Sequence, residues 1–368
     1  MPANNLPVIF MTAFRIARVA ILVFALAACG QSTPEPAADG AADPRADAPA
    51  TAGIELVVYS ERREPLIQPI FEQYQRETGV TVRYLTDAAP ALIERLAAEG
   101  AATPADLFMS VDAGNLWQAA ERGVLAAVDS PTLAAAIPDH LRDPDRRWVA
   151  LSLRARTIVY STERVDPALL SSYEALAEPD WKGRLCLRTS KKVYNQSLTA
   201  TLIERLGSER AQAVLAGWVA NLATEPFADD TALIMAIAAG QCDVGIVNTY
   251  YLGRALAEST DSGGAALAVA PFWPNQGDAG VHVNVSGAGV TAYSDRPAEA
   301  LRFLEWLASE AVQKQFAEVN YEYPARPGVE RHPLVAGWGE FKPDPVNVSV
   351  AGRRQAEAVQ MMDRVGWR

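Results

Sequence analysis

The stretch Gly240-Gln241-Cys242-Asp243-Val244-Gly245-Ile246-Val247-Asn248-Thr249-Tyr250-Tyr251-Leu252-Gly253-Arg254 decides how the chain is organised. Residues 244–247 are a short apolar run of strand type. Thr249 stands where it would cap a helix that begins with the two tyrosines and runs on through Leu252, Ala255 and Leu256. Inside a strand, neighbouring side chains point to opposite faces, so adjacent tyrosines would diverge. At a strand end turning into a helix they can converge, on the sheet edge where α/β folds hold ligands. Two phenols aimed into a cleft are hard oxygen donors, and once ionised they suit a hard, highly charged cation. A bare tyrosine pair also fits rim packing, so the surroundings must decide. The reading adopted is that Tyr250 and Tyr251 bind ferric iron.

Outward from this stretch, strands and helices alternate. Upstream, residues 54–59 read as a strand. Glu64-Pro65 opens a helix with Leu66, Ile67, Ile70, Phe71 and Tyr74 on one side, stopped by Gly79. Val80, Val82 and Tyr84 alternate as a second strand, and a helix follows around Leu92, Ile93 and Leu96. Residues 106–110 form a third strand and 116–122 a helix. Residues 148–160 read as one or two long strands crossing to a second lobe, which holds a strand at 185–187 and helices at 195–206 and 211–222. Downstream, 282–286 and 287–290 read as two short strands returning to the first lobe. A helix starts at Pro297, and an irregular tail from 331 becomes helical at 351–362. The alternation predicts a largely parallel sheet. The expected fold class is α/β, in two lobes joined by crossover strands with a ligand cleft between them.

The 368 residues suffice for two domains, and the formal net charge of -11 excludes nucleic acid as a partner. His140, His282 and His332 lack the spacing of a zinc site. No Gly-x-Ser-x-Gly elbow precedes a helix and no histidine accompanies a nucleophile, so the chain is not expected to be an enzyme. Arg15 and Arg18 precede an apolar run at 19–28, too short to span a bilayer, and small residues then lead to Cys29. This pattern resembles the lipobox of bacterial lipoproteins. It implies a signal peptide at 1–28, cleavage before Cys29 and lipidation of its thiol. Residues 29–53, rich in Ala, Pro, Asp and Ser, read as a disordered tether. In an exported protein the two remaining cysteines, Cys186 and Cys242, are expected to pair.

Four segments can meet in the interlobe crevice: Tyr59-Ser60-Glu61-Arg62-Arg63-Glu64, Arg154-Ala155-Arg156, Thr189-Ser190-Lys191-Lys192-Val193-Tyr194-Asn195-Gln196-Ser197, and the opening stretch. Together with Val111-Asp112-Ala113-Gly114-Asn115-Leu116, the run from His282 to Val290, and Asn320-Tyr321-Glu322-Tyr323-Pro324, they make residues 54–367 resemble the ferric-iron-binding proteins of bacterial ABC importers. The resemblance implies a type II periplasmic-binding-protein fold with Tyr194, Tyr250 and Tyr251 as iron ligands. Some relatives carry Arg-His-Tyr after the Tyr-Ser dipeptide; here Arg62-Arg63-Glu64 stands there. The chain is therefore similar to those relatives that complete the shell with a carbonate-like anion held by arginines. Arg62 matches the anion-binding arginine, and Arg154 or Arg156 matches its partner on the crossover; both lie on one face of a strand, so alternation does not separate them. Glu64 is a further candidate ligand.

The chemistry agrees. Fe3+ prefers oxygen donors of high charge density. A phenol with a pKa near 10 becomes a good ligand only when the cation ionises it. Three phenolates balance three positive charges, and arginine's fork suits a planar anion. Reduction to Fe2+ or protonation of the donors would release the metal. The expected lobes are 54–153 with about 281–330, and 154–280 with about 331–368. The expected partners are an inner-membrane ABC permease with its ATPase, and the membrane through the lipid. The protein is expected to be a monomer, exported to the periplasm or cell surface. The competing reading is a solute-binding protein for a small organic cation or oxyanion.

Overall fold

One strand of 13 residues, Val149–Ser161, joins two halves of the molecule. The computed structural model describes residues 53–261, 263 and 266–368. The expected signal peptide, Cys29 with its expected lipidation, and all of the expected tether but Gly53 lie outside the described residues.

The strands in chain order are β1 (Glu55–Ser60), β2 (Thr81–Thr86), β3 (Leu107–Ser110), β4 (Val149–Ser161) and β5 (Leu185–Cys186). After them come β6 (Val244–Asn248), β7 (Val269–Phe272), β8 (Val283–Val290) and β9 (Tyr323–Pro324). They follow the path β2-β1-β3-β8-β4-β6-β5, with β7 and β9 also paired to β4. Within β4 the partner changes: Val149 to Ala155 face β8, and Arg156 to Tyr160 face β6. All but two of its residues are buried, as expected of a strand packed on both faces.

The sheet is mixed, which corrects the expectation of a largely parallel one. β1 runs parallel to β2 and β3, and β5 to β6. The outgoing strand β4 and the returning strand β8 are antiparallel to their neighbours and carry the middle of the sheet. Alternating helices predict parallel pairs only where a crossover returns the chain to the same side.

Residues 283–290 form one strand rather than two. Gly287 and Gly289 do not interrupt it; they let it lie close to its neighbour. A Cβ at Gly287 would stand 2.4 Å from the Val149 carbonyl oxygen, and one at Gly289 2.3 Å from that of Arg147.

The helix at Glu64–Thr78 forms as its sequence suggests. Proline occupies its first turn, Gly79 ends it at φ 78°, and Ile67, Ile70, Phe71 and Tyr74 are buried. The tail is more helical than expected, with helices at Pro333–Ala336, Val350–Arg353 and Gln355–Arg364. It ends against the second half: Trp367 Nε1 donates to the Arg188 carbonyl at 3.0 Å, and its ring meets Trp218 edge-on. Cys186 and Cys242 are joined in a disulfide.

Candidate metal centre

β6 passes into the helix Thr249–Asp261 with no intervening loop. Thr249 is itself the first helical residue, and its hydroxyl accepts the Ala155 amide of β4 at 3.3 Å. Tyr250 and Tyr251 therefore sit in a first helical turn. Tyr194 occupies the same place in the helix Val193–Leu206. The first turn of a helix presents unpaired N–H groups and a partial positive charge, both favourable to an anionic oxygen.

The three phenols line one cleft of about 600 Å³ beside the C-terminal ends of β1 and β6. Arg62, Arg63 and Glu64, which follow β1, also line it, as do Arg154 of β4 and, from the tyrosine-bearing elements, Lys192 and Arg254. All four segments singled out in the sequence thus meet. The rings of Tyr250 and Tyr251 lie 4.5 Å apart and are inclined by 32°. Asn248 Nδ2 donates to the Tyr250 hydroxyl at 3.4 Å.

Cations surround these rings. Arg188 lies 5.5 Å from the Tyr194 ring and 5.7 Å from that of Tyr251. Arg254 lies 4.7 Å from Tyr251, Arg154 5.3 Å from Tyr194, and Lys192 Nζ 4.9 Å from Tyr194. Burial, and then repulsion from neighbouring phenolates, nonetheless holds Tyr194 and Tyr250 above the ordinary phenol value of 10. Alone, these phenols keep their protons at neutral pH. A highly charged cation would reverse that.

The arginines separate clearly. Arg156 does not line the cleft: Nε donates to Asn195 Oδ1 (2.9 Å), Nη1 to Asp230 Oδ2 (3.0 Å) and Asn248 Oδ1 (3.1 Å), and Nη2 to the Ile246 carbonyl (3.2 Å). Its fork is spent inside the second half, bracing the strand end that carries the tyrosines. Arg154 does line the cleft. Its Nη2 meets Asp112 Oδ2 at 3.3 Å, and its Nη1 has no partner among the described residues. Arg62 pairs with Glu322 at 2.6 Å, and its Nε has no partner among the described residues. Both guanidinium groups line the cleft, and each leaves one buried N–H without an acceptor among the described residues.

Asp112 also accepts from Ser197 Oγ (3.1 Å), Asn284 Nδ2 (2.9 Å) and the Gly114 amide (2.7 Å). Burial, opposed by Arg154, pushes its carboxyl up to about 6. Glu64 is exposed and accepts the Tyr84 hydroxyl at 2.8 Å. Asp229 accepts the Ala232 amide at its helix start, and His282 is buried with Nδ1 3.0 Å from Thr201 Oγ1. Among the described residues, no group of three or more His, Cys, Asp and Glu is arranged to hold a metal.

Sequence reasoning passed over Glu61, Arg188 and Glu322. Glu322 and Glu61 each stand inside a segment quoted above, so the signal was their position next to residues already chosen. Arg188 follows the short β5 and carried none.

The chain matches the model of the bacterial extracellular solute-binding protein family over residues 59–314. It is 40% identical to iron uptake protein A1 of Synechocystis sp. over 345 residues, 93% of each chain. The Trichodesmium protein IdiA (FutA), solved with iron and citrate ligands, superposes with a TM-score of 0.82 and 43% identity, covering 85% of this chain and 100% of that one. The ferric binding protein of Campylobacter jejuni gives 0.79 and 35% over 85% of this chain and 100% of its own.

Proposed function

The chain belongs to the bacterial extracellular solute-binding protein family, in its ferric-iron-binding branch, and from that premise we propose that its cleft binds Fe3+ through the phenolates of Tyr194, Tyr250 and Tyr251. Members of this family are two-lobe transport proteins rather than enzymes. The observation that carries the reading is the meeting of three phenols from two helix starts in one cleft, among Arg154, Arg188, Lys192 and Arg254. A carbonate-like anion completes the shell, taken by the open N–H groups of Arg154 and Arg62. Arg156 supports the tyrosine-bearing strand from behind.

The partner change within β4 at Ala155 and Arg156 supports lobes of 54–153 with about 281–330, and 154–280 with about 331–368. The lobes close over the ion by bending at β4 and β8. The protein is exported, held to a membrane by a lipid on Cys29, and acts as a monomer. It hands iron to an ABC permease and its ATPase.

The test is an absorption spectrum of the purified protein with and without ferric citrate, in bicarbonate. A visible tyrosinate-to-iron charge-transfer band is expected. A colourless protein at saturating ferric citrate would remove the reading.

A further inference from the structure

The tyrosines all belong to the second half of the molecule, and this inference rests on the ferric reading of them. We propose that Glu61 supplies the protein's donor from the opposite wall, binding the trivalent cation through Oε1.

Glu61 follows directly on β1, lines the cleft and is half-buried. Its backbone is pinned, the amide donating to the Met109 carbonyl at 2.9 Å. Its side chain is pinned through one oxygen only. Ser110 Oγ (2.6 Å), the Val111 amide (3.1 Å) and Asn115 Nδ2 (3.1 Å) all donate to Oε2. Among the described residues Oε1 accepts nothing, and no cation pairs with this carboxylate. A ligating carboxylate takes this form: one oxygen oriented by fixed donors, the other left for the metal.

The other acidic groups of the cleft are engaged or peripheral. Glu322 gives Oε2 to Arg62 and Oε1 to Asn320 Nδ2. Glu64 is exposed and tied to Tyr84, while Asp87 is exposed at the rim and accepts the Ala88 amide. Glu61 lines the same cleft as Tyr194, Tyr250 and Tyr251. A carboxylate facing phenolates without a counter-ion is a repulsive arrangement, and a cation seated between them makes it an attractive one. Because Glu61 and the tyrosines come from opposite walls, the ion that joins them also draws the walls together.

The experiment is titration with ferric citrate in bicarbonate, read by the visible band. Glu61→Gln keeps the size of the side chain and an acceptor for Ser110 and Val111. It should retain a band, since the tyrosines remain, but at shifted energy and with affinity about 100-fold lower. Glu61→Asp keeps the charge but withdraws the oxygen, and should lose about tenfold. Asp87→Asn removes a charge from the same wall and should bind like the parent. Parent-like affinity and band position in Glu61→Gln, or parent-like binding by Glu61→Asp, would overturn the assignment. So would an equal loss in Asp87→Asn, which would mark the effect as bulk charge. Absence of a band in the parent itself would be a failure of the ferric reading and not of Glu61 alone.

Discussion

Arg62 and Glu322 form an ion pair of 2.6 Å with side chains only 2% and 5% exposed. Removing one partner of such a pair strands the other charge. Arg62→Ala should lower the unfolding free energy by about 3–5 kcal/mol in denaturant melts. Replacing both with apolar residues of similar size should recover most of that. The same Arg62→Ala change should weaken iron binding chiefly when carbonate is present. Equal loss in bicarbonate-free buffer would count against an anion role for Arg62.

Arg154 and Arg156 stand two residues apart and should behave differently. Arg154→Met should abolish the bicarbonate dependence of iron binding. Arg156→Met should leave that dependence in place and destabilise the fold by about 3 kcal/mol, because Asp230 and Asn248 lose a buried partner. Titrations in both buffers, paired with melts, separate the two.

Tyr194→Phe, Tyr250→Phe and Tyr251→Phe should each lower ferric affinity by more than about 100-fold, beyond the loss typical of a group that merely orients a ligand. The stability of the metal-free protein should change little or, for the buried Tyr194 and Tyr250, rise. Variants that bind like the parent in a ferric citrate titration would displace the phenols as donors.

His282 should make the protein acid-sensitive. Burial first, then Arg154 and Arg156, pushes its pKa down to about 3. A depressed histidine contributes stability that is complete above its ordinary value of about 6.5 and lost as pH falls from there toward 3. Asp112, raised to about 6, acts with the opposite sign: its contribution is full below about 4 and lost as pH rises through 6. Thermal melts from pH 7 to 4 should therefore fall less steeply in His282→Gln, and more steeply in Asp112→Asn.

Much of this arrangement could be read from residue order because local chemistry and global fold agree at the tyrosines. A strand run abutting a helix start makes Tyr250 and Tyr251 converge whatever the sheet does around them. Sheet direction was less legible. Helices between strands suggest parallel pairing, but the registers of β4 and β8 follow from close contacts at Gly287 and Gly289 that no periodicity displays. Arg154 and Arg156 share a face by alternation, and only the positions of Asp112 and Asp230 send them to different tasks. Glu61 remained hidden for a similar reason. Nothing in a single acidic letter tells which of its oxygens three donors will occupy.

The disulfide between Cys186 and Cys242 is walled off, with the two cysteines 0% and 3% exposed. An electron donor small enough to discharge the cargo in the open crevice meets phenol and guanidinium there, and no sulfur. Were the bound ion unloaded by reduction, the bond that stitches the scaffold would stand apart from that event, and emptying the cleft would not undo it.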